Sequence, residues 1–207
     1  MSTVLDLCAM PSMAELFRRF LAGKHLNRTA EPALWAELEQ QEASYRSLFS
    51  GLGYELRIDA RGFAWFHTSD ASSSFSRTSR QMALLFLVIF EAQANAGRPL
   101  QRFDSWLINR AWLDEVYEQQ QDVLIAEGTA TDGLAELLSR AAALGFATAE
   151  PGGWRLLPAV HRYLDHFEAL AALVSDRHVV DNIEAVAETE TREELNRQDE
   201  PDNEDER

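Results

Sequence analysis

A single cysteine, five histidines with no metal-binding spacing and no apolar run beyond nine residues mark this 207-residue chain by what it lacks. Cys8 alone permits neither an internal disulfide nor a cysteine-built zinc site, which fits a reducing cytoplasm. The longest apolar run, Met82–Phe90, is about half the length a membrane-spanning helix needs. Met1–Met10 contains Asp6 and no cation, so no signal segment is expected, and membrane and secreted readings fall away. No phosphate loop exists, because Gly51 and Gly53 lack a third glycine and follow a helical rather than a strand pattern. His161 and Asp165 stand one helical turn apart, but no third ligand joins them. Cys8 has no cationic cluster to activate it. No catalytic residue, metal site or cofactor is expected.

Aromatic residues end at Phe167, and basic residues are scarce beyond it. Residues 181–207 hold twelve acidic and three basic side chains, with only Ile183, Val186 and Leu195 as large apolar groups. Such a stretch cannot bury enough surface to offset its chain entropy, so 181–207 reads as a disordered acidic tail. The net charge of −15 also hides a mildly basic section, with seven arginines between Arg57 and Arg110 against four acids. From Ala111 to Glu150 eight acids face Arg140 alone.

What is present is a repeated pattern of helices and hairpins. Ser12 and Glu15 have capping-box spacing, and a helix over Glu15–Ala22 stops at Gly23. Pro32–Ser50 has the period of one helix. Tyr54, Leu56 and Ile58 alternate as a strand, Asp59–Gly62 turns, and Phe63–His67 returns. A serine-rich linker, 69–79, leads to a buried helix over Arg80–Ala94. Asp104 is placed to cap a helix reaching Gln119; a loop and a helix over Thr131–Leu144 follow. Phe146–Ala149 and Trp154–Leu157 form a second hairpin around Pro151-Gly152-Gly153, and Pro158 opens a last helix toward Val174.

The two halves rhyme: Leu52-Gly53-Tyr54, with its turn and Phe63-Ala64-Trp65, returns 92 residues later as Leu144-Gly145-Phe146, a glycine turn and Trp154-Arg155-Leu156. Helices followed by a hairpin describe a winged helix. The expected fold is therefore α+β and mostly helical: winged-helix domains at 12–68 and 80–175, then the acidic tail. One irregular α+β domain with unrelated hairpins is the alternative.

Winged helices that read DNA need cations on the outward face of a recognition helix. Here Pro32–Ser50 presents Glu37, Glu39, Gln40 and Glu42 with only Arg46, and the second candidate presents Asp132, Glu136, Ser139 and Arg140. Phosphate repulsion disfavours base reading by either. Arg140, Arg155 and Arg162 form a scattered set suited to weak, non-specific DNA contact, and Arg77 with Arg80 is a second candidate pair. Trp35, Trp65, Trp106, Trp112 and Trp154 are candidates to line a groove for an extended chain, or to fill the core.

Leu16-Phe17 through Gly23-Lys24-His25-Leu26, Leu52–Leu56 with Gly62–Phe66, Leu144-Gly145-Phe146, and Trp154–Leu156 leading into Ala159–Tyr163 together carry a family likeness over residues 13–175. In these the chain resembles the MukE/MksE subunits of bacterial SMC condensin complexes. The resemblance implies tandem winged helices, a homodimer, and binding to a kleisin (MukF- or MksF-like) that bridges an SMC ATPase (MukB- or MksB-like). It also implies a nucleoid-associated role in DNA entrapment, chromosome organisation or plasmid defence, the last with a nuclease subunit. Within such complexes the second winged helix helps clamp DNA, and Arg140, Arg155 and Arg162 match basic positions of that pattern. Ala142 and Ala143 replace an arginine pair of enterobacterial members. The rival reading is a free-standing winged-helix transcription regulator; a hydrolase using His161 and Asp165 is a third.

Overall fold

The structure is a computed structural model that describes residues 6–67 and 77–171. The acidic tail and most of the serine-rich segment lie outside the described residues. The chain divides into two units, Met1–Arg162 and Tyr163–Arg207. In the second, residues 163–171 are helical, and the rings of Tyr163 and Phe167 lie 6.5 Å apart across one turn.

The first unit is α+β and mostly helical. It opens with α1 (Met13–Leu21), β1 (Leu26–Asn27), α2 (Pro32–Gln40), α3 (Glu42–Gly51), β2 (Glu55–Asp59) and β3 (Phe63–His67). It continues with α4 (Arg77–Asn95), β4 (Leu107–Ile108), α5 (Arg110–Gln119), α6 (Gln121–Ala126), α7 (Gly133–Ala143), β5 (Ala147–Glu150) and β6 (Gly153–Leu156). Each half has its own antiparallel three-stranded sheet, ordered β1-β3-β2 and β4-β6-β5, so the short strand after the first helix of each half pairs with the returning strand of its hairpin. The rhyme in the sequence is thus a rhyme in topology.

The first half packs around Leu16, Phe20, Leu38, Tyr45, Phe49 and Leu56, all buried. Phe17, Phe20, Phe49 and Phe66 meet at centroid distances of 5.0 to 6.3 Å, the range where aromatic pairs add to plain burial. In the second half α4 buries Met82, Leu85, Phe86 and Ile89 against α7 and α5, whose inward residues are Leu134, Leu138, Leu113 and Val116. Of the Met82–Phe90 run only Leu87 is exposed, so this helix spends its apolar surface within its own chain.

Several boundaries differ from the expectation. The single helix over Pro32–Ser50 is two, broken at Gln41, whose φ of −111° and ψ of 24° are not helical. Glu37 is therefore not an outward acid. Its Oε1 accepts from the Ser12 amide at 2.9 Å and the Tyr45 hydroxyl at 2.5 Å. That contact replaces the capping box expected at Ser12, whose side chain caps nothing. Partial burial works to raise the Glu37 pKa, but the bonds donated by Ser12 and Tyr45 outweigh it and hold the carboxyl below its ordinary range. Glu37→Gln is expected to cost about 1 kcal/mol, a charge-assisted pair discounted for nearby solvent. Urea denaturation at pH 7 measures it, with the difference shrinking in acid as Glu37 protonates.

Asp104 caps no helix. Leu100–Ser105 is a 3₁₀ segment, Leu107–Ile108 is a strand, and Asn109 caps α5 by accepting from the Trp112 amide at 2.9 Å. The loop expected after Gln119 contains the short helix α6.

Candidate functional site

The residues that tie the two halves together come from three short motifs, the first more than a hundred positions from the other two. α7 ends in a Schellman turn: the Gly145 amide bonds Ala142 O, the Phe146 amide bonds Ala141 O, and Gly145 takes a φ of +84°. The freed Leu144 carbonyl accepts from the His25 amide at 2.8 Å and from His25 Nδ1 at 3.0 Å. The Gly145 carbonyl accepts from Asn27 Nδ2 at 2.8 Å, and Asn27 Oδ1 accepts from the Ala159 amide at 3.2 Å. His25 and Asn27 are both buried, so this is a fully bonded polar seam within the core.

Arg162 completes the seam. Its Nη1 donates to His25 Nε2 at 2.7 Å, and its guanidinium lies over the Trp65 ring at 4.8 Å from the centroid. His25 thus donates from Nδ1, accepts at Nε2 and is neutral. Burial first, then the Arg162 charge, push its pKa down to about 3, against the smaller opposing pull of the Leu144 carbonyl.

Beside the seam lies a groove with walls from both halves. One hollow of about 390 Å³ runs between Arg19, Lys24 and Ala30 on one side and Ala143, Ala147 and Thr148 on the other. A second, of about 420 Å³, shares Ala30, Thr148 and Leu157 with it and extends toward Asp104, Glu150 and Arg155. Charges along it are mostly internal pairs: Arg19 with Glu31, and Arg155 with Glu150 through Nε and Nη2 at 2.8 and 2.9 Å. The side-chain bond to Arg155 is the main reason the Glu150 carboxyl sits below its usual range.

The arginines singled out from sequence occupy three different settings. Arg140 is exposed near the end of α7 and makes no side-chain hydrogen bond or ion pair with the described residues. Arg155, on β6, is held by Glu150 and by the Asp104 carbonyl at 3.3 Å. Arg162 belongs to the seam. Arg80 is exposed on α4, whereas the Arg77 side chain lies outside the described residues. Arg46 is engaged by Glu42 and by the Leu56 carbonyl, each at 2.7 Å. Trp35 and Trp106 are core, Trp65 carries Arg162, and Trp112 and Trp154 are half-buried. Cys8 is exposed, and His161 packs edge-on against Phe103 at 5.1 Å. Among the described residues no three His, Cys, Asp or Glu side chains cluster to hold a metal, and no helix is long and apolar enough to cross a membrane.

Two like halves meet at this polar seam and leave an open groove between them. The chain belongs to the MksE family: the family model for condensin complex protein MksE matches residues 11–168, a span that includes the whole seam. It is thereby an accessory subunit of an SMC-type condensin complex and partners other condensin subunits. No curated protein matches the chain.

Proposed function

We propose that this chain is the non-enzymatic, kleisin-binding subunit of a Muk/Mks-type condensin. Its halves, 12–68 and 80–175, act as tandem winged-helix domains, and the chain dimerises. An extended kleisin segment occupies the groove between the halves and couples the subunit to the SMC ATPase, supporting DNA entrapment in the nucleoid. The family match over residues 11–168 is the observation that carries this reading, and the two-walled groove supports it. Affinity capture of the tagged chain from its host, with the retained proteins identified by mass spectrometry, tests it. The kleisin and the SMC ATPase are expected; a nuclease beside them assigns the complex to plasmid defence. A chain that returns without them contradicts the proposal.

DNA contact, in this reading, is weak, non-specific and made within the assembled complex. Arg140 leads it, because Arg155 and Arg162 are already engaged in the fold. Arg140→Glu is expected to weaken DNA binding by the complex several-fold and to flatten its salt dependence. The thermal midpoint and kleisin capture should not change. Unaltered DNA binding in a filter assay would remove Arg140 from the contact.

A further inference from the structure

The turn at the centre of the seam occurs twice in the chain, and only one copy is occupied. At the end of α7 the Gly145 and Phe146 amides bond back to Ala142 O and Ala141 O; at the end of α3 the Gly53 and Tyr54 amides bond back to Ser50 O and Phe49 O. The two glycines share a φ of +84° and +85°. Carbonyls left over at such a helix end need partners from outside the helix. At α7 they have them: Leu144 O accepts from the His25 amide and from Nδ1, and Gly145 O accepts from Asn27 Nδ2. At α3 no bond from the described residues reaches Leu52 O or Gly53 O. Leu52 is 54% exposed, and nothing lies within 4 Å of where a Cβ on Gly53 would stand.

The surface around the empty turn has the form of the filled one. A hollow of about 420 Å³ lies against it, lined in part by Ser50, Gly53, Glu55 and Leu56. Counted 92 positions on, these are Ala142, Gly145, Ala147 and Thr148, which line the hollow beside the seam. Tyr54 stands in the place of Phe146, whose ring meets that of His25 at 4.3 Å. The groove between the halves shares no lining residue with this hollow.

A second copy cannot fill the turn in the same way. Leu26 faces Ala64 and Leu107 faces Arg155, so sheet register makes Trp106, Leu107 and Ile108 the counterparts of His25, Leu26 and Asn27. The Trp106 amide is already bonded to Phe103 O, and the buried Ile108 has no side-chain donor. Among the described residues the chain thus carries two such turns and one donor segment, already used. We infer that the Leu52–Gly53 turn is a docking site for a different protein, which lays a short extended segment across it. That segment donates a main-chain N–H to Leu52 O and, from an asparagine or glutamine side chain two residues on, a second bond to Gly53 O. Its affinity comes from main-chain bonding, and its specificity from the side-chain donor and the residue set against Tyr54.

The test places a photoreactive benzophenone side chain at position 52 of the tagged full chain in its host, with the ultraviolet adducts mapped by mass spectrometry. The expected result is an adduct with a protein other than this chain, at a segment that carries an asparagine or glutamine. Adding Gly53→Ala is expected to lower its yield about tenfold, with the circular dichroism unchanged. A Cβ at Gly53 would press on the docked backbone as one on Gly145 would press on His25 O, at 2.5 Å, while the free chain has room for it. Gly53→Asn, a residue type that tolerates the left-handed backbone, repeats the comparison if the alanine variant does not fold. Absence of any adduct, an adduct only within the chain or with a second copy, or one at a segment without such a side chain overturns the inference. An adduct undiminished in a folded Gly53 variant overturns it too. The kleisin-binding reading is decided by the capture experiment above and not by these adducts.

Discussion

Gly145→Ala is expected to destabilise the protein by about 3–4 kcal/mol, the sum of a left-handed backbone penalty and a clash that the seam cannot relieve. A Cβ on Gly145 would sit 2.5 Å from the His25 carbonyl oxygen, a backbone atom held by the chain on either side. The structure supplies its own control. Gly53 ends α3 in the same turn, with a φ of +85° against +84°, yet nothing lies within 4 Å of where its Cβ would stand. Gly53→Ala should thus cost about 1 kcal/mol, for conformation alone. At 2–4 °C per kcal/mol for a chain of this size, the two variants should separate by roughly 4–12 °C in thermal midpoint. Equal midpoints would mean that the halves do not meet at Gly145.

The second large effect is acid lability above the range where carboxylates titrate. In the unfolded chain His25 takes up a proton near its ordinary pKa of 6.5; in the folded chain it resists down to about 3. A folded pKa lowered in this way gives stability that is fully present above about pH 6.5 and drains away as the pH falls toward 3. The slope is about 1.4 kcal/mol per pH unit, so roughly 2 kcal/mol should disappear between pH 6.5 and 5. His25→Gln should be less stable at pH 7.5, because Arg162 loses its imidazole partner, but should show a shallower loss across that window. Urea denaturation at three pH values measures both slopes. Parallel slopes would mean that the imidazole is solvated and the seam open.

The elements that the sequence made legible were those with local signals. Both hairpins were readable because glycines with positive φ, Gly62 at +93° and Gly152 at +91°, mark their turns. α7 was readable from the spacing of Leu134, Leu138 and Ala141, all buried. The misses have local causes too. Two-residue strands such as Leu26–Asn27 and Leu107–Ile108 are too short to alternate, and Asp104 resembles a helix cap as closely as Asn109 does. The break at Gln41 is invisible because apolar residues continue at helical spacing on both sides of it.

The seam was beyond any local signal. Its bonds join residues 118, 119, 132 and 137 positions apart, and a histidine in a short loop gives no hint of a carbonyl on the far side of the chain. Apart from Asn27, its residues were nonetheless among those that carried the family likeness: Gly23–Leu26, Gly62–Phe66, Leu144–Phe146 and Ala159–Tyr163. That likeness was a packing pattern, and the structure gives its physical content as a junction between halves. The same junction explains why Arg162 differs from Arg140. The residue type at both positions is the same and both are exposed, but Arg162 is tied to the neutral His25 and the Trp65 ring while Arg140 makes no side-chain bond with the described residues.

The most direct measurement is size-exclusion chromatography of the purified chain with the purified kleisin of the same host, at matched concentrations and moderate salt. Co-elution as one complex, retained by Arg140→Glu, is the expected result. Separate elution of two folded proteins would contradict the kleisin-binding role. Recovery of a defined promoter sequence by the chain alone would put a DNA-reading regulator in its place.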